Sequence, residues 1–142
     1  MAEAVYNTGK TMITTNVVAA GATNFRARCI IGSKTGASLA TLGTMTAIDG
    51  ADSGNVNFQS TGNSQTLATI TKNFSGNNIV WDCANITFPA EAVTALAMVI
   101  YDEGGGAEGT RLPLAFYDTG FGAGIDITGG LNVTVTNFLQ LT

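Results

Sequence analysis

Apolar positions in this chain fall mostly in short runs of period two, separated by clusters of Gly, Asn, Ser and Asp. The clearest run closes the chain. Leu131, Val133, Val135, Leu139 and Leu141 share one face, and Asn132, Thr134, Thr136 and Gln140 share the other, the alternation of a half-buried strand. Earlier runs predict strands at 12–20, 25–31, 56–60, 66–74, 79–88, 94–102 and 111–117. Turn chemistry separates them: Gly21-Ala22-Thr23-Asn24, Ser75-Gly76-Asn77-Asn78, and Gly-rich connections at 102–110 and 118–130. Residues 38–48 are weakly patterned and fit strand or helix. Residues 89–93 predict a helical turn or a bend, with Pro89 suited to a first helical position and Glu91 near the positive end of the dipole. The polar, irregular start, 1–11, predicts a flexible N-terminal arm that orders only on a neighbour. About eight strands predict an all-β fold, an antiparallel β-sandwich or barrel, with residues 12–142 as a single β domain.

Composition narrows the chemistry. The chain has 142 residues, one domain's worth, and no histidine. The missing histidine excludes a Ser-His-Asp triad, a Cys-His pair and a His-ligated metal. Six basic residues cannot make the basic stripe of a nucleic-acid binder. No window approaches 18 continuous apolar residues, so no membrane span is expected. Charged residues are only 11% of the chain, whereas 21 Thr, 12 Asn and 18 Gly dominate the polar part. Such a neutral surface suits packing against other subunits, because little charge must be desolvated on contact. Residues 1–72 carry five basic groups and three acidic ones, whereas 73–142 carry Arg111 against seven acids. Head-to-tail or ring contacts can use that polarity; chance in a small count also produces it. The start is acidic and lacks an apolar run, so no targeting segment is expected, and the cytoplasm is the expected compartment. Cys29 and Cys83 have apolar neighbours and read as buried small hydrophobes.

Short motifs add little. Gly9-Lys10-Thr11 ends like a phosphate-binding loop, but Ala4 stands where its first Gly belongs. Lys34-Thr35-Gly36 lacks the partner elements of serine β-lactamase-type enzymes. Phe121-Gly122-Ala123-Gly124-Ile125-Asp126-Ile127 is like one calcium β-roll repeat, an architecture that needs tandem copies. Asp102 and Asp118 end strands flanking one hairpin and are the best candidates for a carboxylate pair of glycoside hydrolysis. Arg26 and Arg28 share one strand face, ready for the acids of a neighbouring subunit or for solvent. No cofactor or metal site is expected, nor an enzyme.

The second half carries a more distinctive pattern. Asn77-Asn78-Ile79-Val80-Trp81-Asp82-Cys83-Ala84-Asn85-Ile86-Thr87-Phe88 opens it, and Ala95-Leu96-Ala97-Met98-Val99-Ile100-Tyr101-Asp102 follows. After a Gly-rich gap come Arg111-Leu112-Pro113-Leu114-Ala115-Phe116-Tyr117-Asp118-Thr119-Gly120, then Gly129-Gly130-Leu131-Asn132-Val133-Thr134 and the strand to Leu141. Over about residues 77–142 this resembles a family of small tailed-bacteriophage virion structural proteins. The family more often has a Thr-Gly type of turn where this chain has Asp102-Glu103-Gly104-Gly105-Gly106.

The resemblance implies a virion component with no catalytic residues to carry over. A capsid decoration (cement) protein is the leading expectation, partnered by the major capsid protein, and a homotrimer as phage decoration proteins often are. A tail or fibre component, or a carbohydrate-binding β-sandwich adhesin, is the alternative. Neither nucleic acid nor membrane is an expected partner. The arm and the 103–110 and 119–130 loops supply the candidate contacts: Tyr6, Lys10, Arg26, Arg28, Glu103, Glu108, Arg111 and Phe121.

Overall fold

The computed structural model describes residues 4–14, 24–38, 40–49, 58–76, 78–104, 110–135 and 139–141. In chain order the elements are β1 (Ala4–Val5), α1 (Asn7–Thr14), β2 (Phe25–Ile30), α2 (Met45–Asp49), a 3-10 turn (Thr61–Asn63), β3 (Gln65–Thr66), β4 (Thr71–Ser75), β5 (Asn78–Asp82), β6 (Ile86–Phe88), β7 (Thr94–Ala95), β8 (Ala97–Asp102), β9 (Leu112–Tyr117), β10 (Ile125–Asp126), β11 (Leu131–Val133) and β12 (Leu139–Leu141). Every pairing is antiparallel. The fold is all-β, and among the described residues no sheet closes into a barrel. No described helix is long and apolar enough to cross a membrane.

A five-stranded sheet, β1-β9-β8-β2-β3, forms the centre. Its middle strand β8 is buried from Ala97 to Tyr101 without a break. Alternation therefore serves two cores rather than one core and solvent. Met98 and Ile100 join Phe25, Ala27 and Cys29 of β2 and Trp81, Ile86 and Phe88 beyond. Ala97, Val99 and Tyr101 join Ile30, Phe116, Tyr6 and the helix residues Met45 and Ile48. Each such aromatic or aliphatic side chain contributes about 1.5–3 kcal/mol when fully buried. Pro113 has no N–H to give a ladder. It sits where the β8–β9 register slips, with Ile100 opposite Ala115 but Tyr101 opposite Pro113, so Leu114 is the extra residue of a bulge.

Four expected strands each break in two, because the chain crosses between sheets. Residues 66–74 divide at Ala68-Thr69, both exposed, with Thr69 in the left-handed region at φ 54°. That kink turns Leu67 and Ile70, three apart, into the same core. Residues 79–88 divide into β5 and β6, which pair antiparallel with β12 and β11 in two different sheets. Ile86 lies opposite Val133 and Trp81 opposite Leu139. Residues 89–93 take the bend, at Ala92-Val93, and not the helical turn: the Glu91 N–H donates to Ile127 O and the Ile127 N–H to Val93 O, so tertiary pairing wins over the helix.

The N-terminal arm is the main correction. Residues 4–14 dock on the domain rather than hang from it. Ala4 and Val5 pair with Phe116 and Ala115. Tyr6, Gly9 and Met12 recur every third residue and are buried on the sheet-facing side of the segment. Gly9 permits the contact, since a Cβ there would collide with Leu114 O. The expected strand at 12–20 is in fact the end of α1 at 12–14; residues 15–20 lie outside the described ones. The ambiguous stretch 38–48 leads into α2, where Thr44 Oγ1 accepts from the Ala47 N–H and caps the helix. The expected strand at 56–60 is a single bridge, Phe58 with Ile30, and 56–57 lie outside the described residues.

Candidate functional site

β2 alternates Phe25, Ala27 and Cys29 on one face with Arg26 and Arg28 on the other. Pattern alone left that second face open to a neighbour or to solvent, but the chain covers it itself. Arg26 Nη2 donates to Ser64 O at 2.8 Å, and its Nε lies 3.7 Å from Glu103 Oε2. Arg111 Nη2 donates to Glu103 Oε1 at 3.0 Å and the guanidinium lies over the Tyr101 ring at 5.6 Å. Glu103 is thus held between two guanidiniums. Arg28, only 6% exposed, donates from Nε to Gln59 O at 2.7 Å and lies 5.0 Å from the Phe58 ring centre. Arg26, Arg28, Glu103 and Arg111, expected as contact residues, are engaged within the chain: the 58–66 segment folds back over β2 and brings backbone acceptors to Arg26 and Arg28, and Glu103 meets Arg26 and Arg111.

A second polar cluster had no local signature. Gln59, fully buried, behaves as a partner strand for Cys29: its N–H donates to Cys29 O, and its Oε1 accepts from the Cys29 N–H at 2.7 Å. Glu91 collects donors from this loop, Asn63 Nδ2 at 2.7 Å, the Ser60 N–H at 3.1 Å and Gln59 Nε2 at 3.5 Å. Desolvation pushes the Glu91 carboxyl up, but these hydrogen bonds and the Arg28 charge outweigh it and hold it below its ordinary value. The residues meet across some 30 positions of sequence, which no local pattern announces.

The other expected positions disperse. Tyr6 is fully buried, with its hydroxyl donating to Ala37 O, so it is a core residue and not a contact. Lys10 is exposed on α1. Glu108 lies outside the described residues. Phe121 is 4% exposed and so forms a wall rather than a projecting contact. Asp102 and Asp118 do not pair. Asp102 lies opposite Leu112 at the tip of the β8–β9 hairpin, and Asp118 is six residues further along, roughly 20 Å away at strand rise. Asp102 accepts from Asn24 Nδ2 and the Gly104 N–H, whereas Asp118 pairs with Lys34 at 2.9 Å. The Asp126 carboxylate accepts from the Thr128 N–H at 2.9 Å, an ordinary turn. Among the described residues no group of three or more His, Cys, Asp or Glu is placed to hold a metal. Cys29 and Cys83 are free and buried. Burial, and then the charge of Glu91, pushes the Cys29 thiol up to about 12; burial, and then Asp82, pushes Cys83 up to about 11. Both thiols are therefore held in the protonated form at neutral pH.

Two surface features remain. One is a groove of about 380 Å³ whose lining includes Met98, Tyr117, Phe121, Val133 and Val135. The Gly-rich turn beside it is held in place: Lys34 Nζ donates to Asp118 and to Gly122 O, and Gly124, at φ 125°, leaves no room for a side chain against Thr94 Cγ2. The other feature is Phe74, 80% exposed near the tip of the β4–β5 hairpin. Sequence reading placed Phe74 on an ordinary strand and did not single it out; its position one residue before Ser75-Gly76-Asn77-Asn78 was the available sign. No family model, curated protein or solved structure matches the chain.

Proposed function

We propose that this chain is a bacteriophage virion structural protein that acts by binding, most directly a capsid decoration protein on the assembled head shell, working as a homo-oligomer. One observation carries the reading: the described arginines find their acceptors within the chain, while a phenylalanine stands 80% exposed near a hairpin tip. Polar groups are spent on holding loops, and the surface offered outward is neutral and Thr/Asn-rich with an apolar anchor. Such a surface suits close packing on protein. The strand pattern of 77–142 supports the virion setting, and a trimer is the assembly that likeness implies.

The mechanism is linkage. A protein that binds the assembled shell and not its free subunits adds its binding free energy to the shell. Many weak copies act together through multivalency. The test is copy number per purified virion, by quantitative mass spectrometry against the major capsid protein. Hundreds of copies in a simple ratio to that protein are expected. Copies in the tens or fewer replace the head assignment with a tail or fibre one, and absence from the particle overturns the reading.

A further inference from the structure

Phe74 and the groove beside Phe121 are complementary. Every other described aromatic ring is buried or half-buried, whereas Phe74 stays in water on a hairpin closed through Gly76 at φ 61°. Register places it opposite Ile79, which packs on the core, and places Lys72 opposite Trp81, with Lys72 Nζ 5.4 Å from the indole. The apolar row of this hairpin therefore runs off the edge of the core and ends in an open ring.

The groove supplies the missing partner atoms. Its volume of about 380 Å³ exceeds the roughly 150 Å³ that takes a benzene ring. Tyr117 and Phe121 give it aromatic walls, Val133 and Val135 aliphatic ones. A second hollow of about 200 Å³ continues it past Phe121 and Val133. The rim residues Thr119 and Thr134 are uncharged, so an entering ring desolvates no ion.

We infer that the chain associates head to tail with a second copy of itself, Phe74 of one copy seated in the groove between Phe121 and Val133 of the next. Knob and socket lie on different patches, so the contact is heterologous and closes into a ring or continues as a filament. The contact deepens the assembly reading and rests on it. It is nevertheless tested on the isolated chain: self-association without shell binding sinks the proposed function alone, and a shell-binding monomer sinks this inference alone.

The experiment is sedimentation velocity of the full chain from about 1 to about 100 μM, spanning ordinary association constants. Phe74→Ser removes the knob, and Thr134→Arg, at an exposed rim position, blocks the socket. Thermal melts confirm that both fold; where Thr134→Arg does not, Thr119→Arg on the same rim replaces it. Each variant is expected to weaken association about 30-fold or more, the loss typical of an anchor residue. Mixed in equal amounts, the two variants retain one good knob and one good socket and are expected to form a dimer and nothing larger. A wild-type chain monomeric throughout, a Phe74→Ser chain that associates normally, or a mixture that stays monomeric each overturns the inference.

Discussion

In the five-stranded sheet, β8 has partners along both edges and a core on both faces, and the outer strands β1 and β3 are two residues long. In the three-stranded sheet β12-β5-β4, the outer strand β4 is five residues long and ends beside a phenylalanine in water. Short outer strands blunt an edge, and long ones with apolar side chains invite another chain. The first sheet is finished by its own chain, with the arginines of its outer face tied to Glu103, Ser64 and Gln59. The second is finished only in part. Phe74, in water on the second sheet, is the proposed contact, and its truncation is expected to leave the stability carried by the buried positions of β8 intact.

The largest expected effect comes from the finished sheet. Ile100→Ala opens a cavity under a fully buried position and is expected to cost about 2–5 kcal/mol, read by denaturant unfolding. Phe74→Ser in the same assay is expected to cost less than about 0.5 kcal/mol, since an exposed side chain loses little on truncation. Equal costs at the two positions would break the comparison. Gly9→Ala comes next. Its methyl meets the Leu114 carbonyl, a backbone atom that cannot swing aside, so α1 must lift from β9. A loss of about 1–3 kcal/mol is expected, together with faster proteolysis near residue 14. Unchanged melting would mean that the N-terminal segment adds nothing to the domain.

Smaller effects come from the polar links. Glu103→Gln leaves the buried Arg111 without its carboxylate; because Glu103 is about one-third exposed, the expected cost is only about 1–2 kcal/mol. The pH dependence has a fixed sign. The Glu91 carboxyl is held below its ordinary 4.5, so its contribution is complete above that value and fades as pH falls below it. Glu91→Gln should flatten the acid limb of the stability curve. The Cys29 thiol moves the other way, from 9.0 up to about 12, so stability is expected to decline as pH rises through that interval. In the native state at pH 8 neither thiol should react with a thiol reagent, and both should react after unfolding. An acid limb unchanged by Glu91→Gln would remove that loop contact from the account of stability.

The all-β fold was legible, and the reasons are particular. Residues 97–101 and 112–117 are apolar enough to read as strands whatever covers them, and residues 131–135 alternate as a half-buried strand should. The splits were not legible. The kink at Ala68-Thr69 and the division of 79–88 into β5 and β6 exist because distant strands pull the chain into different sheets. The docking of 4–14 rests on Tyr6, Gly9 and Met12, three positions among Thr and Asn, too few to outweigh a polar composition. Arg26 and Arg28 were correctly placed on one face of β2, but what covers that face comes from a loop some 30 residues away. Phe74 shows the opposite case. Its type and place near a turn are ordinary in sequence, and only its exposure in the fold makes it a contact candidate.

Amide hydrogen exchange of the full chain, measured at about 1 and about 100 μM, tests the division between the two sheets most directly. The expected result is that β8 and β2 exchange only through global unfolding and gain only the stability that association adds, while the locally opening β4–β5 hairpin and the 119–134 groove gain protection together as concentration rises. A hairpin and a groove equally protected at both concentrations would contradict it.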